Sequence, residues 1–215
     1  SELINKEVKA NVLNIIEMLK NKGCTVDYID VPYLEFAIPL YQVISLGEAS
    51  SNLARFDGIK YGLHIDGKSL DDMYKKTRSE GFGNEVKRRI MIGSYVLSGK
   101  NADKYYKKAL KVRRVLTDNL VNVFNNYDLI IGPTNTNVAY KLGTKSDDAL
   151  KSFYDDILTI PVNMAGLPAM SLPIGFNSSN LPIGLHIIGN YFEEAKIYQL
   201  AQFIEKELNL SLEVK

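Results

Sequence analysis

The run Asp128-Leu-Ile-Ile-Gly132, closed by Pro133, is short, apolar and rich in isoleucine, which reads as a buried strand. Two further short runs, Ala169 to Pro173 and Ile183 to Ile188, read the same way, and a helix over about Glu193 to Leu208 follows them. Working back toward the amino terminus, helical spacing dominates. Val8, Val12, Ile15, Ile16 and Leu19 share one face of a helix over Lys6 to Lys22 that Gly23 stops. Cys24 to Val31 alternates Val26 and Tyr28 with Asp27 and Asp30 and predicts a strand. A long helix is predicted from Leu34 to Arg55, kinked or delayed by Pro39. Ser69, with Asp72 three residues on, resembles a capping box opening a short helix through Lys76. Further helices are predicted over Asn84 to Leu97 and over Ala102 to Tyr127, the latter with Tyr105, Ala109, Val112, Leu116, Leu120, Val123 and Tyr127 in register. Helices alternating with short buried strands define the α/β class. With no repeat, low-complexity tract or linker, residues 1–215 read as one domain.

Composition narrows the function classes. Lys and Arg total 26 against 25 Asp and Glu, a net charge of +1. A chain that grips many phosphates on its own carries a basic excess, so a free-standing nucleic-acid binder is disfavoured. No apolar run approaches the roughly 20 residues that cross a bilayer, and the Ser-Glu-Leu-Ile-Asn-Lys start has no signal-peptide pattern. The single cysteine, Cys24, excludes an internal disulfide and a multi-cysteine metal cluster, and small-residue packing is its simplest role. A soluble, reducing compartment is expected. The absence of an initiator Met fits a fragment, a processed chain or a trimmed one equally.

Standard nucleophile signatures are missing: there is no Gly-x-Ser-x-Gly elbow and no Ser-x-x-Lys. His64 and His186 lie far apart without metal-ligand spacing, so each reads as a loop or sheet-surface histidine and no metal is expected. Gly62-Leu-His-Ile-Asp-Gly67-Lys68-Ser69 matches the phosphate-loop pattern letter for letter. The chemistry argues against it. A turn precedes it instead of a strand, Leu63, His64 and Ile65 are bulky where the backbone must curl, and Asp66 repels phosphate. A surface loop whose Ser69 caps the next helix is the plainer reading. The cluster Lys104, Lys107, Lys108, Lys111 reads as a solvated helix face.

Two charges are more suggestive. Wound at about 100° per residue, residues 86–97 place Arg89 on the same arc as Val86, Ile90, Gly93, Val96 and Leu97. Residues 149–160 likewise place Asp156 among Ala149, Phe153 and Ile160, with Asp155 to one side. A charge on a buried face must be paired or it costs several kcal/mol. From pattern alone, a structural Arg–Asp pair or a snorkelling side chain ranks ahead of a ligand site.

A series of stretches carries a family resemblance. They are Glu48-Ala-Ser-Ser-Asn-Leu-Ala-Arg-Phe-Asp-Gly58 with Tyr61-Gly62; Arg78-Ser-Glu-Gly-Phe-Gly with Glu85-Val-Lys-Arg-Arg-Ile-Met-Ile-Gly93; and Tyr105-Tyr-Lys-Lys-Ala. Asp128 to Thr134, Pro161 to Pro173 and Leu181 to Gly189 complete it. In order and spacing, from about Asn5 to Leu208, they resemble the amidase-signature family, and within it the A subunits of tRNA-dependent amidotransferases. The later stretches recur among amidases generally, whereas the first two are particular to those subunits. His186 stands where Gln is usual, and Ile174 where a small residue or Cys is common.

The resemblance implies part of the amidase-signature fold, a mixed β-sheet covered by helices, and the C-terminal part of a single amidase domain. It implies no catalytic residue here, because the family's Ser–Ser–Lys triad belongs to a Gly/Ser-rich region upstream of these motifs. It implies hydrolysis of glutamine through an acyl-enzyme. The ammonia released then converts Glu-tRNA(Gln) or Asp-tRNA(Asn) on a partner subunit that uses ATP and Mg. Tyr41, Arg89 and Asp156 occupy the family's substrate-binding positions, Arg89 for the α-carboxylate and Asp156 for the α-ammonium. The implied partners are the B and C subunits, with tRNA met mainly through them. The implied place is the cytoplasm or an organelle, with no membrane. Two other readings stand beside it: an amidase for a small or fatty amide, which has no need of a charge-matched pair, and a non-catalytic truncated module that docks partner subunits.

Overall fold

Asn5 starts the first helix because its side chain accepts from the Glu7 N–H at 2.8 Å, satisfying one of the donors that a helix start leaves unpaired. Helix α1 (Lys6–Asn21) then buries Val8, Val12, Ile15 and Leu19 along one stripe. The structure is a computed structural model that describes residues 3–144 and 156–210. After a short 3-10 turn at Leu34–Phe36 come α2 (Ala37–Leu53), α3 (Leu70–Gly81) and α4 (Asn84–Leu97). Helical turns at Gly99–Asn101 and a π-helical segment at Ala102–Lys107 precede α5 (Lys108–Val123). Then follow β1 (Ile130–Pro133), α6 (Ile160–Ala165), β2 (Ala169–Phe176), β3 (Pro182–Ile188) and α7 (Glu194–Leu208).

The described residues divide into two compact units, residues 1–38 with 114–215, and residues 39–113. The first is built on a three-stranded antiparallel sheet in the order β1-β3-β2. Gly132 and Ser171 flank His186 in register, and the β2–β3 pairing slips between Pro173 and Gly175. Period-two alternation sends Ile183, Leu185 and Ile187 to one face. There they meet Leu172 and Ile174 of β2, the stripe of α1, and Ile197, Ala201 and Ile204 of α7. Leu185, Ile187 and Ile204 have no exposure left. Within this core, removing a leucine side chain typically costs 2–5 kcal/mol. The second unit holds most of α2 with α3 and α4, and its buried residues include Leu40, Ile44, Met73 and Val96.

Helices packed on a sheet match the expected fold class, and the strands at 130–133 and 183–188 fall where the apolar runs placed them. Three expectations are corrected. Cys24 to Val31 forms no strand: it alternates, yet it pairs with no strand among the described residues, and Tyr28 stays 76% exposed. Cys24 itself is exposed and not packed. His186 is neither loop nor surface: at 7% exposure it sits in the central strand, and burial pushes its pKa below the ordinary value. Pro39 falls in the first turn of α2, two residues after its start at Ala37, where its missing N–H removes no helical bond.

Candidate substrate-recognition site

Helix α4 opens at Gly83 and carries Glu85 in its first turn, where a carboxylate favours the positive end of the helix dipole. Glu85 collects two arginines. Arg88 donates through Nε and Nη2 to both carboxylate oxygens at 2.8 Å each, and Arg89 donates through Nε alone at 2.9 Å. The hydrogen bonds from Arg88 and then Arg89 hold the Glu85 carboxyl down at about 2, so it stays ionised at any physiological pH. Arg89 is thus exposed and paired on its own helix, which corrects the expected burial. The part of α4 that is buried is Gly93 and Val96, one to two turns further on.

Tyr41 lies half-buried in α2, within the same unit as Arg89. Asp156 belongs to the other unit and is exposed, not buried as its helical winding predicted. Residues 156–159 form turns, so the winding does not hold there; Ala149, Phe153 and Asp155 lie outside the described residues. The main-chain carbonyl of Asp156 accepts from the N–H groups of Thr159 and Ile160 at 3.1 and 2.9 Å, which sets the turn that leads into α6.

Residues 62–69 follow the plainer reading. Ser69 caps α3 by accepting from the Asp72 N–H at 3.2 Å, and Asp72 in turn accepts from the Lys68 N–H at 2.8 Å. Gly67 is required for a different reason than phosphate binding: a Cβ there would stand 2.2 Å from the backbone nitrogen of Met73. The N–H groups of Ile65 and Lys68, two of the main-chain donors that would cradle a phosphate, are turned onto the side chains of Thr77 and Asp72. Mg-ATP titrated against the chain is expected to give no saturable signal; a Lys68-dependent micromolar affinity would overturn this.

Arg78 is a structural residue to which its sequence context assigns no role. Its Nη1 donates to the carbonyls of Leu53 and Phe56 at 2.9 and 3.1 Å, capping the end of α2, while the guanidinium lies 5.1 Å over the Phe82 ring. Among the described residues no group of three or more His, Cys, Asp or Glu is arranged to hold a metal, and no helix is long and apolar enough to cross a membrane.

Residues 1–198 match the family model described as Amidase, and the chain belongs to that family. Among curated proteins it is similar to the A subunit of the glutamyl-tRNA(Gln) amidotransferase of Bacillus cytotoxicus, 49% identical over 206 residues that cover 95% of this chain and 42% of that protein. The corresponding A subunit of Shouchella clausii is 49% identical over 211 residues, covering 98% and 44%. A solved structure of the glutamyl-tRNA(Gln) amidotransferase A subunit from Thermotoga maritima superposes with a TM-score of 0.70 at 36% identity, covering 94% of this chain and 39% of that one. A solved amidase at 23% identity and a TM-score of 0.73, covering 96% and 43%, shares the fold. The chain spans less than half the length of the curated relatives it matches.

Proposed function

We propose that this chain is part of the glutaminase subunit of a tRNA-dependent amidotransferase. In that enzyme glutamine is hydrolysed to supply ammonia, and Glu-tRNA(Gln) or Asp-tRNA(Asn) is converted to Gln-tRNA or Asn-tRNA. The observation that carries the reading is its likeness, over nearly the whole chain, to proteins named as the A component of such an enzyme. ATP and Mg serve the partner subunit, the B and C subunits are the partners, and the cytoplasm is the place of action. Here Tyr41, Arg89 and Asp156 contact the bound glutamine. Arg89 is the arginine of α4 suited to the α-carboxylate, because only its Nε is committed to Glu85, whereas Arg88 is held through two nitrogens. A guanidinium forks onto a carboxylate with two parallel hydrogen bonds, and an aspartate complements an ammonium.

The test uses the enzyme containing this chain, purified with its partner subunits. It is expected to form Gln-tRNA or Asn-tRNA from glutamine, Mg-ATP and the mischarged tRNA. Hydrolysis of small or fatty amides with no use of glutamine would replace this reading with the amide-hydrolase one. The 215 residues alone are expected to release no ammonia from glutamine, since acyl transfer requires an activated nucleophile and no serine here has that context. Measurable release would demand a second catalytic centre within the chain.

A further inference from the structure

The segment between α2 and α3 contains the phosphate-loop lookalike, and its bulky residues have partners of their own. Asp57 accepts from the N–H groups of Ile59 and Lys60 at 2.9 and 3.2 Å, tightening the entry to the loop. Thr77, buried in α3, accepts from the Ile65 N–H at 3.0 Å and so fastens the middle of the loop to the helix. Between these two points lies His64. Its Nδ1 is 2.6 Å from the Gly58 carbonyl oxygen, and its Nε2 is 3.1 Å from the Asp66 carboxylate. Both neighbours are acceptors only. A neutral imidazole has one N–H and can satisfy one of them; the imidazolium donates to both.

We propose that protonated His64 is a clasp that closes residues 58–66, and that raising the pH releases one of its two ends. The hydrogen bond to the Gly58 carbonyl, then the one to Asp66, hold the His64 pKa above its ordinary 6.5. Because the folded-state value is the higher one, the clasp contributes fully below about 6.5 and is lost as pH rises through the folded-state value. Lys60 and Lys68 belong to the same loop, and three other charged groups around it are engaged elsewhere. Asp57 holds the entry turn, Asp72 of α3 accepts from Lys68 and pairs with Lys76, and Arg78 donates to Leu53 and Phe56. Among the described residues, Asp66 is the charge that acts on His64. Tyr61 and Leu63 of this loop are exposed and join apolar contacts with Phe56 before it and with the end of α3. Phe56 meets Tyr61 edge-on at 5.2 Å and Phe82 at 6.3 Å, and Leu63 lies against Gly81. The clasp therefore sets how firmly Tyr61 and Leu63 are held in those contacts, whichever substrate the protein serves.

The test is an NMR titration of the His64 imidazole in the chain, with hydrogen exchange of the Ile65 amide followed in parallel. His64 is expected to titrate above 6.5. Ile65 protection, corrected for intrinsic exchange, should fall about two- to fivefold across that midpoint, the range that exposed ion pairs contribute. His64→Gln should abolish the pH dependence, and Asp66→Asn, which keeps the ring and the Gly58 contact, should lower the midpoint toward 6.5. A His64 midpoint at or below 6.5, or the same fall in protection in His64→Gln, would overturn the clasp.

Discussion

Gly93→Ala is expected to destabilise the chain by about 2–3 kcal/mol, in a position where alanine would ordinarily help. In a free helix, alanine is favoured over glycine by about 1 kcal/mol. At Gly93 the added Cβ would stand 2.0 Å from the Leu46 carbonyl oxygen and 2.6 Å from the Ser50 Cβ. The Leu46 atom is main chain and cannot rotate away, so α4 must shift off α2. Overpacking of this kind costs typically 1–3 kcal/mol and occasionally more, and a backbone obstacle places it at the upper end. The neighbouring residues are small for the same reason: Ser50 and Ser94 bridge the two helices hydroxyl to hydroxyl at 2.9 Å. A drop in Tm of roughly 4–12 °C is the expected reading for a chain of this size. Gly83→Ser is the control. It lies at the start of the same helix with nothing within 4 Å of its Cβ and no side-chain cap, so it should be neutral or gain a few tenths of a kcal/mol. An unchanged or higher Tm for Gly93→Ala would mean that the two helices do not touch through their backbones.

That helix contact also shows what sequence could and could not say. The resemblance includes Gly93 as part of a motif, but the reason for glycine lies in the carbonyl of Leu46, on a different helix. Spacing found α1 well, because Val8, Val12, Ile15 and Leu19 answer to one local period and one sheet face. It misread Cys24 to Val31, since alternation is necessary for a strand while a hydrogen-bonded neighbour is what makes one. It missed α6, although Pro161 just inside the start and Gly166 just past the end, at φ 72°, are the usual punctuation of a helix. His186 was misplaced because a central strand is buried on both faces, and the run Leu185, Ile187, Ile188 around it carried that signal. Arg89 is the most instructive case. Winding put it on the arc of Gly93 and Val96, yet burial begins only beyond the first turns of α4. Helical phase gives direction, not depth.

Removing the charge at either proposed glutamine contact should separate two activities of the complete amidotransferase. Arg89→Ala is expected to lower kcat/KM for glutamine by tens- to hundreds-fold, because hydrogen bonds to charged groups contribute roughly 1.5–3 kcal/mol each. Arg89→Lys should rescue poorly, an ammonium being unable to reproduce the planar fork. Asp156→Asn keeps the shape, loses the charge that faces the α-ammonium, and should be about as harmful. Free ammonia bypasses glutamine binding, so ammonia-dependent amidation of the mischarged tRNA should survive all three changes. The exposure of Arg89 and Asp156 makes this a clean experiment: neither side chain belongs to the buried core, so Tm should move little. Arg89 does give up one contact with Glu85, but Arg88 still holds that carboxylate through both oxygens. If glutamine- and ammonia-dependent activities fall together, with Tm lowered, the two residues are structural and the assignment is wrong. If both activities are unchanged, glutamine is held elsewhere.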